Sequence, residues 1–262
     1  RGNEYQQLYI CSKLIDVLKK IEKHGDIVGE NGILVIPSVS NMSMDFGKRF
    51  WISDDTDLNR LFPGNPSGES GSRVAYAIME TTKGYRYGIH LPSFYLGGTF
   101  MPHIRLLDPE HGSTSLANLF GLPYVIEAKS RPFDRTTLHN NWQRNGTEAF
   151  SLYTGMTGKI DDELAAQAVS SILRFLTRMG IIRYYSHSGY IASVLKEGDL
   201  EPIMTEAAGI FIKKAECGQE VSRGDVLAQI MKADSGEIIS EVKAPTDGII
   251  FYAETRPVVY SN

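Results

Sequence analysis

Three short stretches carry side chains whose types suit hydrolytic chemistry at a metal. The chain opens on Arg1-Gly2-Asn3-Glu4, reaches Asp57-Leu58-Asn59-Arg60-Leu61-Phe62-Pro63-Gly64, and later runs Tyr87-Gly88-Ile89-His90. A carboxylate in a loop and a distant imidazole are two of the three protein ligands a catalytic zinc needs. The adjacent amide and guanidinium of Asn59 and Arg60 are planar donors that can hold a small carboxylate in bidentate fashion. Each residue also has a plainer reading. A Glu at the start of a helix favours the positive end of its dipole, a lone His at a strand end is an ordinary hydrogen-bonding residue, and Arg60 could serve a structural ion pair.

Together these motifs resemble the succinylglutamate desuccinylase/aspartoacylase family of the zinc carboxypeptidase superfamily, whose markers are His-Gly-x-Glu, Asn-Arg-x-Phe-Pro-Gly and Asp-Leu-His. The resemblance runs the length of the chain. It implies Glu4 and His90 as two zinc ligands and Asn59 and Arg60 as substrate-binding residues. The family's first His falls on Arg1, which has no lone pair to give a metal and stays protonated at any usable pH. Its Ala-Phe-Thr-Ile-Glu-Leu-Gly strand falls on Ala149-Phe150-Ser151-Leu152-Tyr153-Thr154-Gly155, placing Tyr153 where the catalytic Glu stands. Gly88 takes the place of the acidic residue in Asp-Leu-His.

These departures set the remaining expectations. Arg1 is expected to pair with Glu4 and fill the metal position with its guanidinium; the alternative is that it turns away and leaves a two-ligand site for another side chain to complete. His103 and His111 could donate that ligand, though both also read as ordinary loop residues. Tyr153, with a pKa near 10, is a poor general base and a fair hydrogen-bond donor to an oxyanion. Glu148 lies an odd number of residues from Tyr153, which points it to the other face of a strand. Glu127, closing the apolar run Leu122-Pro123-Tyr124-Val125-Ile126, is the expected replacement base. His24 follows a helix without a partner Glu and belongs to the surface, while His139 and His187 have no supporting motif.

Positioning these groups requires elements that meet at one sheet edge. Leu8, Ile10, Leu14, Ile15, Val17, Leu18 and Ile21 recur at helical spacing and predict a helix from about Glu4 to Lys23. Gly32-Ile33-Leu34-Val35-Ile36-Pro37, a short apolar run ended by proline, predicts a strand buried in a parallel sheet. A helix follows Gly68-Glu69-Ser70 through about Thr82, and a strand over Tyr85–Ile89 delivers His90 to its carboxyl end, the edge where open α/β sheets build sites. A helix end and strand span Leu119–Ile126, another strand Ala149–Tyr153, and a long amphipathic helix Asp161–Met179 stops at Gly180. This alternation predicts an α/β domain over residues 1–189. The resemblance implies a carboxypeptidase-like mixed sheet flanked by helices.

Residues 190–262 change character. Short strands over 210–212, 226–230, 238–242 and 248–252, separated by Gly, Asp and Pro turns, predict a small all-β domain resembling the biotinyl/lipoyl barrel-sandwich hybrid. Its hairpin at Met231-Lys232-Ala233 is longer than a carrier's and lacks flanking methionines, so Lys232 is expected to be structural and the domain a lid or wall.

Composition narrows the partners. The 262 residues are 42% hydrophobic and 22% charged, with 27 basic and 31 acidic side chains giving a formal charge of −4 and no long run of either sign. That excludes the electrostatic footprint of a nucleic-acid or anionic-membrane binder. Two cysteines, Cys11 and Cys217, imply no disulfide framework, which makes a cytoplasmic setting the expectation. No stretch approaches the roughly 20 apolar residues of a membrane span. Three functions remain: zinc-dependent hydrolysis of N-acyl amino acids or related small carboxylate amides; a metal-free binding or regulatory protein holding a small anion between Arg1 and Arg60; or a protein-interaction role for the β domain beside a vestigial pocket. Oligomeric state is not legible.

Overall fold

The structure, a computed structural model, describes residues 1–94, 97–109 and 113–261. Two compact units emerge, residues 1–93 with 102–197 and residues 94–101 with 198–262. In chain order the elements of the first half are α1 (Tyr5–Lys23), α2 (Asn41–Asp45), a 3₁₀ turn (Leu58–Arg60), α3 (Ser70–Thr81), β1 (Tyr87–His90), β2 (Thr99–Phe100), β3 (His103–Leu107), α4 (Ser113–Asn118), β4 (Tyr124–Ala128), α5 (Leu138–Arg144), β5 (Glu148–Tyr153), α6 (Asp162–Arg178) and β6 (Ser193–Lys196). All but β2 belong to the first unit.

Its sheet has the order β1-β5-β3-β4-β6. β1 and β5 are parallel, β3 runs antiparallel to β5, and β4 and β6 follow β3, so the sheet is mixed as expected. Strand alternation gives the sheet two distinct faces. Ile104, Leu106, Val125, Phe150 and Leu152 join Ile10 and Leu14 of α1 and Ala165, Ile172 and Phe175 of α6 in the main core. Phe120, Phe150 and Phe175 are each 0% exposed, with Phe120 stacked on Phe175 at 4.3 Å and Phe150 tilted against it at 5.3 Å. α6 begins cleanly because the Asp161 side chain accepts from the Leu164 amide at 3.0 Å, satisfying one of the free donors of the first turn. The opposite face carries polar side chains and is where the site forms.

One predicted strand is absent. No described strand pairs with Gly32–Pro37; Ile33 and Val35 pack toward the main core while Leu34 and Ile36 remain exposed. The in-out alternation of a strand is present, but the ladder is not, and β1 forms the edge of the sheet. β3 is the converse, a strand in a region read as loop. β6 pairs with β4 and so extends the first unit past residue 189, the expected division.

The second unit is all-β. β7 (Gly209–Lys213), β8 (Glu220–Val221), β9 (Val226–Met231), β10 (Ile238–Lys243), β11 (Gly248–Ile249), β12 (Tyr252–Ala253) and β13 (Val258–Val259) form an antiparallel sheet of order β10-β9-β7-β13 and a β8–β11 pair, while β12 pairs with β2. The strand predicted over 248–252 is therefore split into β11 and β12. Lys232 sits on the β9–β10 connection and pairs with Asp234 at 3.2 Å. No described helix is long and apolar enough to cross a membrane.

Truncating the central aromatic should be costly. Phe175→Ala is expected to lower unfolding free energy by about 3–5 kcal/mol, the range for an aromatic deleted from a packed core, measured by urea denaturation.

Candidate functional site

The polar face of the sheet is the floor of the site. His90 ends β1 and is paired with Ser151 of β5. Ser151 is paired in turn with Arg105, and Tyr153 with His103. Residues opposite one another share a face, so His90, Ser151, Tyr153, Arg105 and His103 project to the same side. Helix α5 covers this floor. The Thr137 side chain caps it and Asn59 Oδ1 accepts from the Leu138 amide at 3.0 Å, which leaves His139 Nδ1 2.8 Å from Ser151 Oγ.

Arg1 lines the same cleft as His90, and each of its three guanidinium nitrogens bonds a carboxylate. Nε and Nη2 meet Asp57 Oδ1 and Oδ2 at 3.0 and 2.7 Å, a bidentate pair, while Nη1 reaches Glu4 Oε1 at 3.2 Å. The Arg1 main-chain nitrogen donates to Glu4 Oε2 at 2.7 Å, and Ser93 Oγ donates to Glu4 Oε1 at 2.6 Å. Gly2 makes this loop possible, because a Cβ there would lie 2.3 Å from the Ser43 carbonyl carbon. Burial raises the Glu4 carboxyl, and the Arg1 guanidinium and the Ser93 hydrogen bond act against it. Asp57 is lowered, burial being outweighed by its pair with Arg1. Arg1, opposed by burial but gripped by two carboxylates, is raised. Burial pushes His90 down to about 4, with Glu4 opposing and Arg1 adding, so its imidazole is neutral near pH 7.

The other two departures from the family pattern are built into packing. Gly88 faces Trp142: an added Cβ would lie 2.5 Å from its ring, and the indole donates to Thr82 Oγ1 at 2.9 Å. The space of an acidic side chain is filled by a tryptophan. Tyr153 stacks on His103 with ring centroids 5.0 Å apart. Its hydroxyl is raised by burial, outweighing the Arg105 hydrogen bond and the charges of Arg105 and Arg1, which leaves a neutral phenol and no base.

The predicted residues divide accordingly. Arg1, Glu4, Asn59 and His90 all line one cleft of about 810 Å³ in the first unit, whose walls are mostly apolar. Asn59 and Arg60 lie side by side in the 3₁₀ turn, which Asp57 caps through the Asn59 amide at 3.0 Å. Arg60 Nη1 donates to the Phe133 carbonyl at 3.2 Å and its guanidinium lies 5.2 Å from the Phe133 ring centroid. Two corrections follow. Arg1 spends its guanidinium on carboxylates of the protein rather than on a substrate, Asp57 taking the Nε–Nη2 edge and Glu4 bonding Nη1. Glu127 is no replacement base: it pairs with Leu106, one position out of phase with Arg105, so it projects from the opposite face and accepts from Thr114 Oγ1 at 2.7 Å. His103, read as loop, is a buried strand residue. His111 lies outside the described residues. Glu148 shares the Glu127 side, as its odd spacing from Tyr153 required. His139, Ser93 and Asp57 had no motif to mark them; only the Asp preceding a capped turn carried a signal for Asp57.

The residues do not fit the zinc that the family implies. Both Glu4 oxygens are occupied by donors, and Arg1 brings N–H groups rather than a lone pair to the position of the missing ligand. Among the described residues no three His, Cys, Asp or Glu side chains converge on one point.

No family model matches the chain. The fold does have relatives. N-alpha-acetyl-L-2,4-diaminobutyric acid deacetylase of Halomonas elongata is 23% identical over 278 residues, spanning 95% of this chain and 73% of that protein. The product-bound ectoine utilization protein EutE (DoeB) from Ruegeria pomeroyi superposes with a TM-score of 0.81 at 19% identity, covering 100% of this chain and 80% of that one. A succinylglutamate desuccinylase/aspartoacylase from Rhodobacter sphaeroides gives 0.78 at 18% identity, with the same coverage. The chain thus has the fold of the succinylglutamate desuccinylase/aspartoacylase proteins, in agreement with its motifs.

Two measurements probe this floor. Gly88→Ala should cost about 1–3 kcal/mol through overpacking against Trp142, read by chemical denaturation. Burial, with His90 and Arg105 adding, pushes His139 down to about 3. Its contribution is therefore complete above the unfolded-state value near 6.5 and is lost as pH falls from there toward 3. Thermal melts over that window should show a decline that is shallower in His139→Gln.

Proposed function

We propose that this protein is a metal-independent binder of small N-acyl amino acids or related carboxylate amides, built on a deacylase fold. The observation that carries this reading is the Arg1 guanidinium lodged between Asp57 and Glu4. It supplies positive charge without a metal and, with Ser93, occupies Glu4 Oε1. Ligand recognition falls to the Asn59–Arg60 turn. Among the described residues the Asn59 side chain uses only its oxygen, which leaves its amide N–H groups for a ligand, and Arg60 keeps Nε and Nη2 after bonding Phe133. Adjacent planar donors of this kind match a carboxylate. The apolar cleft walls suit an acyl chain, and the Halomonas deacetylase carries an N-acetylated amino acid in its name.

The zinc-hydrolase reading is supported by the retained Glu4, His90, Asn59 and Arg60 and by the names of the relatives. It requires Glu4 to leave Arg1, and a base other than Tyr153 or Glu127. The readings part in one assay series. Thermal shift and calorimetry against N-acetyl amino acids and dicarboxylates should detect binding that Arg60→Ala weakens about ten-fold or more, the loss of a charge-assisted bidentate pair. Amine release from the same ligands should stay at background with added zinc. A flat ligand screen would overturn the binding proposal, and zinc-dependent turnover would establish the hydrolase.

A further inference from the structure

We infer that Arg1 is a positioning residue that takes over the organising role of a divalent ion, tying the opening loop to the turn that presents Asn59 and Arg60. The inference rests on the metal-independent reading above but not on the identity of the ligand. A metal in such a site does two things: it holds side chains from separate segments together, and it supplies positive charge. The guanidinium does both with N–H groups in place of an empty orbital. Its Nε and Nη2 fix both oxygens of Asp57, and Asp57 Oδ1 simultaneously accepts from the Asn59 amide. Its Nη1 fixes Glu4, which is held in turn by Ser93, three residues beyond His90, and Ser93 Oγ accepts from Arg49 Nη1 at 3.3 Å. Two segments far apart in sequence, the opening loop and the Asp57 turn, therefore meet on one side chain, itself only 6% exposed, and the segment after His90 joins them through Glu4.

The geometry sets what can replace it. Lysine keeps the charge but not the fork, so it cannot hold both Asp57 oxygens and Glu4 together. Histidine loses the permanent charge but would add a third ligand to Glu4 and His90, the number a tetrahedral zinc with one open position requires.

The test compares the full chain with Arg1→Lys and Arg1→His by zinc content after dialysis and by hydrogen exchange over residues 57–61, with zinc chloride and a chelator as the probes. The wild-type chain should retain far less than one equivalent of zinc, and its 57–61 amides should exchange at the same rate with or without chelator. Arg1→Lys, still folded by circular dichroism, should exchange at Asn59 about ten-fold faster, the loss of one charge-assisted bidentate contact. Arg1→His should show the same loss without zinc and recover protection on taking up one equivalent. A wild-type chain that holds a full equivalent, an Arg1→Lys chain with unchanged Asn59 exchange, or a folded Arg1→His chain indifferent to zinc would each overturn the inference. If Arg1→His does not fold, the chelator and lysine arms decide. A flat ligand screen alongside the expected exchange results would remove the proposed ligand and leave the tie standing.

Discussion

A buried cation has to be matched, and in this protein the matching of Arg1 dictates the arrangement around it. Removing a guanidinium from water is unfavourable unless its donors meet acceptors in good geometry. Here Asp57 and Glu4 supply those acceptors from two different loops, so the two loops are tied together. The guanidinium accounts for Asp57 staying ionised although half-buried, while burial keeps His90 neutral against the pull of Glu4. Removing any one of the three charges would strand the others. That coupling, more than any single contact, defines the site.

The surrounding substitutions fit this electrostatic plan. In the family pattern Gly88 and Tyr153 stand where acids are expected. Trp142 occupies the volume beside Gly88, and Tyr153 is stacked on His103 and hydrogen-bonded to Arg105, itself paired with Glu197 at 2.6 Å. Packing and a neutral phenol have replaced carboxylates there. The changes at Arg1, Gly88 and Tyr153 are thus three parts of one rearranged floor.

Much of this was legible in the sequence, and the limits have physical causes. The apolar spacing of α1 and the amphipathic pattern of α6 marked those helices because each buries one face. Arg1 pairing with Glu4 followed from opposite charges three residues apart. Asp57, the second acceptor of Arg1, was hidden because its partner is remote in sequence. Glu127 was misjudged because the apolar run before it is buried on both sides and gives no period of two; only the register with β3 reveals its face. Gly32–Pro37 has the alternation of a strand, but a strand is defined by a neighbour, which local sequence does not contain. His139 depends on α5 crossing β5, again a matter of tertiary placement.

The packing beneath the Asp57–Gly64 turn has an optical consequence. The chain contains two tryptophans, and both Trp51 and Trp142 belong to the small apolar cluster with Leu58 and Phe62 that supports this turn. Trp51 bonds Ser70 and Trp142 bonds Thr82, so each indole is held in a defined setting. The all-β unit contributes no indole at all. Intrinsic emission excited at the red edge of the protein band therefore reports on one neighbourhood of one unit, and the molecule carries its own label at the place where its chemistry is decided.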